Sequence, residues 1–177
     1  MVAPTRRPTE AWQSANLFEL GLGHVAVSRF RLGGEAEVGV FLLDVHCLGV
    51  KNAFYTRLGE QEYDSDFLAR VFASVGKTAL SPACARRLVE DAVAYAQNLG
   101  FAPHPDYRKG CRVFGGIEVR ECATVFSFGQ NGKPLLVQGP NDPPEFIRRA
   151  MANLTARCGQ GNFGFMVLAD DSFDPGE

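Results

Sequence analysis

The chain has 177 residues, of which 46% are hydrophobic and 21% are charged. It is long enough for one sizeable core, and its composition is that of a globular protein rather than a disordered one. The formal net charge of −2 at pH 7 lacks the basic excess of a typical non-specific DNA-binding protein. No apolar run approaches the roughly 20 residues of a membrane-spanning helix, so we expect no membrane insertion.

The N-terminal part of the chain predicts a helix followed by a β-hairpin. We expect the helix over residues 9–20, because Thr9 can cap its start and Gly21 can end it. Residues 24–32 and 36–47 read as two strands joined at Gly33-Gly34.

The register of this hairpin decides which side chains face Asp44. A two-residue turn at positions 33–34 places Gly23 opposite Asp44, whereas a slip of one residue places His24 there. We prefer the first register because it pairs more branched apolar side chains across the strands. It removes His24 from the face that carries Asp44.

The middle of the chain predicts helices. Residues 54–62 read as a polar connection or a short helix, and residues 65–75 as a helix with apolar side chains at helical spacing. The clearest helix covers residues 82–99, where Ser81 is the cap and Pro82 takes the first helical position.

The C-terminal part predicts a second hairpin, a helix and a strand. Residues 122–128 and 133–138 flank Asn131-Gly132, a strong hairpin-turn signal. Asp142 can cap a helix that begins at Pro143-Pro144, and residues 163–168 read as a last strand.

These elements define a fold class. We predict an α+β fold with a mainly antiparallel sheet, built from two β-hairpins, and helices packed on one face. Residues 1–8 are expected to form a flexible lead-in, residues 9–169 a single domain, and residues 170–177 an acidic tail.

The cysteines indicate a compartment. Their number, five, is odd, and they form no C-x-x-C pair. No signal-peptide pattern opens the chain. Together these observations predict reduced cysteines and a cytoplasmic protein.

The first candidate site lies where the second strand ends. Asp44 and His46 alternate along the strand and therefore share a face. They could hold a divalent metal ion or orient a general base, with Lys51 stabilising negative charge. Alternatively, Asp44 caps a turn and His46 bonds a backbone carbonyl. Cys47 points to the opposite face and reads as a buried structural thiol.

The second candidate site is the proline-flanked loop that carries His104 and Asp106. If it folds over the end of the second strand, these side chains would join Asp44 and His46 in a metal-assisted hydrolytic site. Otherwise it is a surface loop in which Asp106 makes a local turn.

Several basic residues are spaced so that they could line one surface. Arg29 and Arg31 alternate on the first strand, and Arg148-Arg149 lie on the last predicted helix. With Arg108, Lys109 and Arg112 they could form a basic stripe for nucleic acid. The acidic total favours a solvated charged face instead.

Three segments carry a family resemblance: GVFLLDVHCLGVKNAFY, DAVAYAQNLGFAPHPDY and FSFGQNGKPLLVQGPND. They resemble uncharacterised conserved proteins of bacteria. The resemblance implies a bacterial cytosolic protein and transfers no mechanism or functional residue.

Two functional hypotheses follow. The first is an interaction or accessory module that binds a protein or nucleic-acid partner, or assembles as a homo-oligomer. The alternative is a metal-assisted hydrolase of phosphoesters that uses a divalent cation held by Asp44 and His46. Its catalytic candidates are Asp44, His46, Lys51, His104 and Asp106. The lack of a recognisable catalytic motif favours the binding module, and its acidic net charge favours a protein partner over nucleic acid.

Overall fold

The structure is a computed structural model, which describes residues 7–73 and 75–168. Its larger sheet has five antiparallel strands in the spatial order β4-β3-β2-β1-β5. The strands are β1 (Glu10–Ser14), β2 (Leu22–Arg31), β3 (Glu35–Asp44), β4 (Gly49–Gly59) and β5 (Lys77–Leu80). This confirms the predicted α+β fold with a mainly antiparallel sheet.

The remaining elements surround this sheet. A smaller sheet pairs β6 (Leu135–Gln138) in parallel with β7 (Gly164–Val167). The helices are α1 (Leu17–Leu20), α2 (residues 60–71), α3 (Pro82–Asn98), α4 (Tyr107–Gly110) and α5 (Pro144–Cys158). Within α2, a π-helical turn, Tyr63–Phe67, links Glu60–Glu62 to Leu68–Val71. Short 3₁₀ turns follow α4 at Cys111–Val113 and lie further on at Val119–Glu121.

Helices cover both faces of the larger sheet, whereas the sequence predicted one. On one face, Val25 and Phe41 pack against Leu88 of α3. On the other, Phe30 and Val40 pack against Tyr63 of α2, together with the nearby Phe67. The reason is that β2 and β3 carry apolar side chains on both faces, so each face needs a cover.

The predicted helix over residues 9–20 is wrong for most of its length. Residues 10–14 form β1, which hydrogen-bonds β2 on one side and β5 on the other. Two ladders of backbone hydrogen bonds outweigh a weak helical stripe. Residues 54–62, predicted as a polar connection or a short helix, mostly belong to β4, an edge strand whose polar side chains obscure the alternation; residues 60–62 begin α2.

Both hairpin registers considered from the sequence are also wrong. The loop between β2 and β3 has three residues, 32–34, because Arg31 pairs with Glu35. Gly33 and Gly34 adopt φ of +110° and +80°, which glycine permits at little cost. Asp44 therefore lies opposite Leu22, and His24 lies opposite Leu42, on the same face as Asp44.

The second predicted hairpin is reduced to its turn. Asn131 and Gly132 have φ of +53° and +77°, and Gln130 bridges Lys133. Beyond this bridge the backbone turns to other partners: the N–H of Gly129 donates to the carbonyl of Val45, and that of Leu135 donates to His46. β6 then pairs with β7, which confirms the predicted last strand.

Local signals were the most accurate guide. α3 begins as predicted, and Oγ of Ser81 accepts a hydrogen bond from the N–H of Cys84 at 3.1 Å.

Asp142 behaves differently from its predicted capping role, because its carboxylate accepts from the N–H of Gly139. Arg7, within the expected flexible lead-in, is held by ion pairs to Glu10 and Asp64.

A disulfide joins Cys84 of α3 to Cys122, with Cα atoms 4.9 Å apart. The prediction of reduced cysteines is therefore wrong for this pair, while Cys47, Cys111 and Cys158 are free. The first turn of α3 and the segment after the Val119–Glu121 turn meet only in the folded chain. No spacing in the sequence marks such a pair.

Candidate functional site

Asp44 ends β3 as the cap of a tight turn. Its Oδ1 atom accepts hydrogen bonds from the backbone N–H groups of His46 and Cys47, both at 2.9 Å. The side chain is buried, and burial raises the pKa of the carboxyl group against the lowering effect of these hydrogen bonds and of the nearby Lys51. The geometry matches the capping alternative considered from the sequence.

His46 packs closely against the backbone of Gly21. A Cβ atom added at Gly21 would lie 2.1 Å from Nδ1 of His46, and Gly21 also has φ of +79°. The ring is buried, and the carbonyl of His46 accepts from the N–H of Leu135 at 3.1 Å. His46 therefore holds α1 and the start of β6 around the turn.

These residues do not fit a divalent-metal site. Among residues 7–73 and 75–168, no group of three or more His, Cys, Asp or Glu side chains could hold a metal ion. One oxygen of Asp44 is already committed to two backbone donors. Neighbouring Cys47 is buried, and burial raises the pKa of its thiol, as expected for a structural cysteine.

The proline-flanked loop of residues 101–106 is anchored to the start of β4 and does not join Asp44. The N–H of His104 donates to the carbonyl of Val50 at 2.9 Å, and Nδ1 of His104 accepts from the N–H of Asp106 at 3.1 Å. Asp106 is exposed and makes a local turn, so its carboxylate lies outside the cavity that His104 lines.

That cavity has a volume of about 620 Å³. Its walls are the start of β4, the 101–106 loop and one side of α5. Leu48, Phe101 and Phe146 are apolar lining residues, whereas Lys51 and His104 are polar ones. Two of the five predicted site residues therefore meet here, and Asp44, His46 and Asp106 do not line it.

Arg149 of α5 is the functional candidate that sequence reasoning placed elsewhere, in a surface stripe. It lines the cavity together with Asn153, whose Nδ2 donates to the carbonyl of Gly100 at 3.2 Å. This bond fixes α5 against the start of the loop. The sequence gives no reason to separate Arg149 from Arg148; only the packing of α5 turns Arg149 toward the cavity.

The cavity has an excess of positive charge. None of its lining residues is an aspartate or a glutamate. In the described part of the chain, no carboxylate lies within 4.0 Å of the Lys51 ammonium or the Arg149 guanidinium. A negatively charged group entering the cavity would therefore meet two cations that form no ion pair within the described residues.

Comparison of the chain with protein-family models, curated proteins and solved structures gave no match. Within the described ranges, no helix is long and apolar enough to cross a membrane. Function must therefore be inferred from the cavity and from the distribution of surface charge.

Proposed function

We propose that the protein is a binding module whose cavity receives a short segment of a partner protein, with an acidic side chain beside an apolar one. The observation that carries this proposal is that Lys51 and Arg149 both line a largely apolar cavity whose lining contains no carboxylate. A volume of about 620 Å³ falls in the range of specific ligand sites, roughly 300 to 1,000 Å³.

The two parts of the cavity have different roles in this proposal. Leu48, Phe101 and Phe146 would bury the apolar side chain, which supplies most of the affinity. Lys51 and Arg149 would pair with the carboxylate and fix the orientation of the segment. Because His104 and Asn153 tie the loop to β4 and α5, the cavity is formed before the ligand arrives.

The hydrolase alternative has no comparable support. It needs a carboxylate or a metal beside His104, but the charged side chains that line the cavity with His104 are the cations Lys51 and Arg149. In the turn that connects β3 to β4, the carboxylate of Asp44 accepts two backbone hydrogen bonds and the ring of His46 packs against Gly21.

Peptide display followed by affinity measurement tests the proposal. A library of random heptapeptides is panned on the protein, and enriched sequences are resynthesised with a fluorescent label for anisotropy. We expect enriched peptides to carry Asp or Glu next to Leu or Phe. Arg149→Ala and Lys51→Ala should each weaken binding by about tenfold or more, as expected for loss of a charge-assisted hydrogen bond.

Arg148→Ala is the matched control, because Arg148 neighbours Arg149 on α5 but does not line the cavity. Its affinity for the enriched peptides should equal that of the unmodified protein. Enrichment of basic or purely apolar peptides, or equal losses in the Arg148 and Arg149 variants, would overturn the proposal.

A further inference from the structure

Four arginines, Arg29, Arg31, Arg57 and Arg112, form a cluster near the β2–β3 loop. β2 and β4 end and β3 begins at this edge of the sheet. The centre of the arginine cluster is Glu37 of β3, whose side chain is only 4% exposed. Arg29 and Arg57 flank Glu37 on the neighbouring strands, so their backbones lie roughly 10 Å apart across the sheet.

The buried carboxylate holds two of these arginines in place. Nη2 of Arg31 donates to both carboxylate oxygens of Glu37 at 2.8 Å, and Nη2 of Arg57 donates to Oε1 at 2.8 Å. Tyr55 also donates to Oε1, at 2.7 Å. Burial would raise the pKa of Glu37, but these hydrogen bonds and the two positive charges lower it to about 2.

Each guanidinium keeps an outward side. The side chains of Arg31 and Arg57 are 49% and 50% exposed. Within the described residues, Nε and Nη1 of Arg31 and Nη1 of Arg57 make no hydrogen bond. The guanidinium of Arg112 lies over the ring of Tyr55, 5.0 Å from its centroid, and that of Arg29 lies against Gly115.

The cluster has a positive excess, because among the described residues only two of its four guanidinium groups, those of Arg31 and Arg57, are paired, and they share the single carboxylate of Glu37. A second acid, Glu35, also contributes to the electrostatics of Arg57. The net charge of −2 hides this excess because acidic residues concentrate elsewhere. On the other face of the sheet, α2 carries Glu60, Glu62, Asp64 and Asp66.

From this geometry we infer that the arginine cluster binds the phosphodiester backbone of a nucleic acid. The free N–H groups of these guanidiniums can donate charge-assisted hydrogen bonds to phosphate oxygens, and Glu37 fixes the orientation of Arg31 and Arg57 before binding. Arg29, Arg31 and Arg57 lie on neighbouring strands, so a polyanion whose charges repeat along its backbone can contact several of them at once. This inference is independent of the cavity, which uses other residues.

Fluorescence anisotropy with labelled oligonucleotides tests the inference. The probes are a 20-nucleotide single strand and a 20-base-pair duplex, since both present the diester backbone, and the ratio of their affinities shows which form is preferred. Binding should weaken with added salt, because each phosphate contact releases counterions. Arg57→Gln combined with Arg112→Gln should lower affinity at least tenfold and reduce the salt slope by about 1.5.

Two variants keep the test interpretable. Arg112→Gln alone should reduce affinity without unfolding, because Arg112 makes no ion pair among the described residues. Arg70→Gln removes the same charge from α2, where Arg70 pairs with Asp66, and should leave affinity unchanged. The inference is refuted if Arg70→Gln weakens binding as much as Arg112→Gln, or if binding is insensitive to salt. Equal competition by polyglutamate, or equal binding to vesicles of anionic lipid, would also refute it.

Discussion

Removing the Cys84–Cys122 disulfide should lower the free energy of unfolding by about 4 kcal/mol. The bond links residues that are 38 positions apart in the sequence. For a loop of that length, the chain-entropy relation gives a loss of roughly 13 cal/mol/K in the unfolded ensemble, or about 4 kcal/mol at 25 °C. The disulfide also holds the folded state together, because the segment that follows Cys122 packs Phe126 and Phe128 against the core.

Urea unfolding followed by circular dichroism measures this contribution. The oxidised protein is compared with the reduced protein and with the Cys84→Ala/Cys122→Ala variant, which should both unfold at lower urea. Cys158→Ala is the control, because Cys158 is unbonded and only partly buried; it should cost at most about 1 kcal/mol. Thiol titration of the denatured, unreduced protein should find three reactive groups. Five reactive thiols, or identical unfolding of the oxidised and reduced proteins, would refute the reasoning.

Three further predictions concern single side chains. Asp44→Ala should lower the free energy of unfolding, measured in urea, by about 2 to 3 kcal/mol, because two buried N–H groups lose their acceptor. Asp44→Asn keeps an accepting oxygen and should lower it by less. Equal losses in the two variants would contradict the capping role. Gly21→Ala should destabilise the fold by more than about 2 kcal/mol, because the added Cβ atom would clash with the ring of His46. Gly33→Ala is the control and should destabilise the fold less, because Gly33 also has positive φ but no atom lies within 4 Å of the position of its Cβ. Equal effects of the two substitutions would exclude the clash with His46. The depressed pKa of Glu37 means that its ionised form stabilises the fold above about pH 4.5, and that this contribution is lost as the pH falls toward about 2. The stability difference between the protein and Glu37→Gln should therefore shrink over that interval, and a constant difference would contradict the assignment.

Sequence reasoning succeeded where structure depends on neighbours along the chain. Ser81 and Pro82 predicted the start of α3 because a cap and a first-turn proline act within one helical turn. Asn131-Gly132 predicted a turn for the same reason. β1 was missed because its strand conformation depends on pairing with β5, more than sixty residues away, which no local propensity encodes.

The residues of the candidate site also divide into those that local sequence signals identify and those that depend on long-range packing. The polar end of the β-hairpin and the proline-flanked loop drew attention to Lys51 and His104, and both line the cavity. The geometry does not group them with Asp44 and His46, because the carboxylate of Asp44 caps the β3–β4 turn by accepting two backbone hydrogen bonds. Arg149 was identified as basic, but its membership of the cavity depends on how α5 packs, which is a long-range property.

The position of β1 between β2 and β5 has a consequence for how the chain folds. β2, β3 and β4 are consecutive and joined by short turns, so their contacts close small loops at low entropic cost. The pairing of β1 with β5 instead joins Ala11 to Leu80. Because α3 begins two residues after β5, we expect the pairing of β5 with β1 and the docking of α3 to occur together, after β2, β3 and β4 have paired. A nascent chain that ends before β5 would then expose both the unpaired edge of β1 and the apolar face that α3 covers in the folded protein.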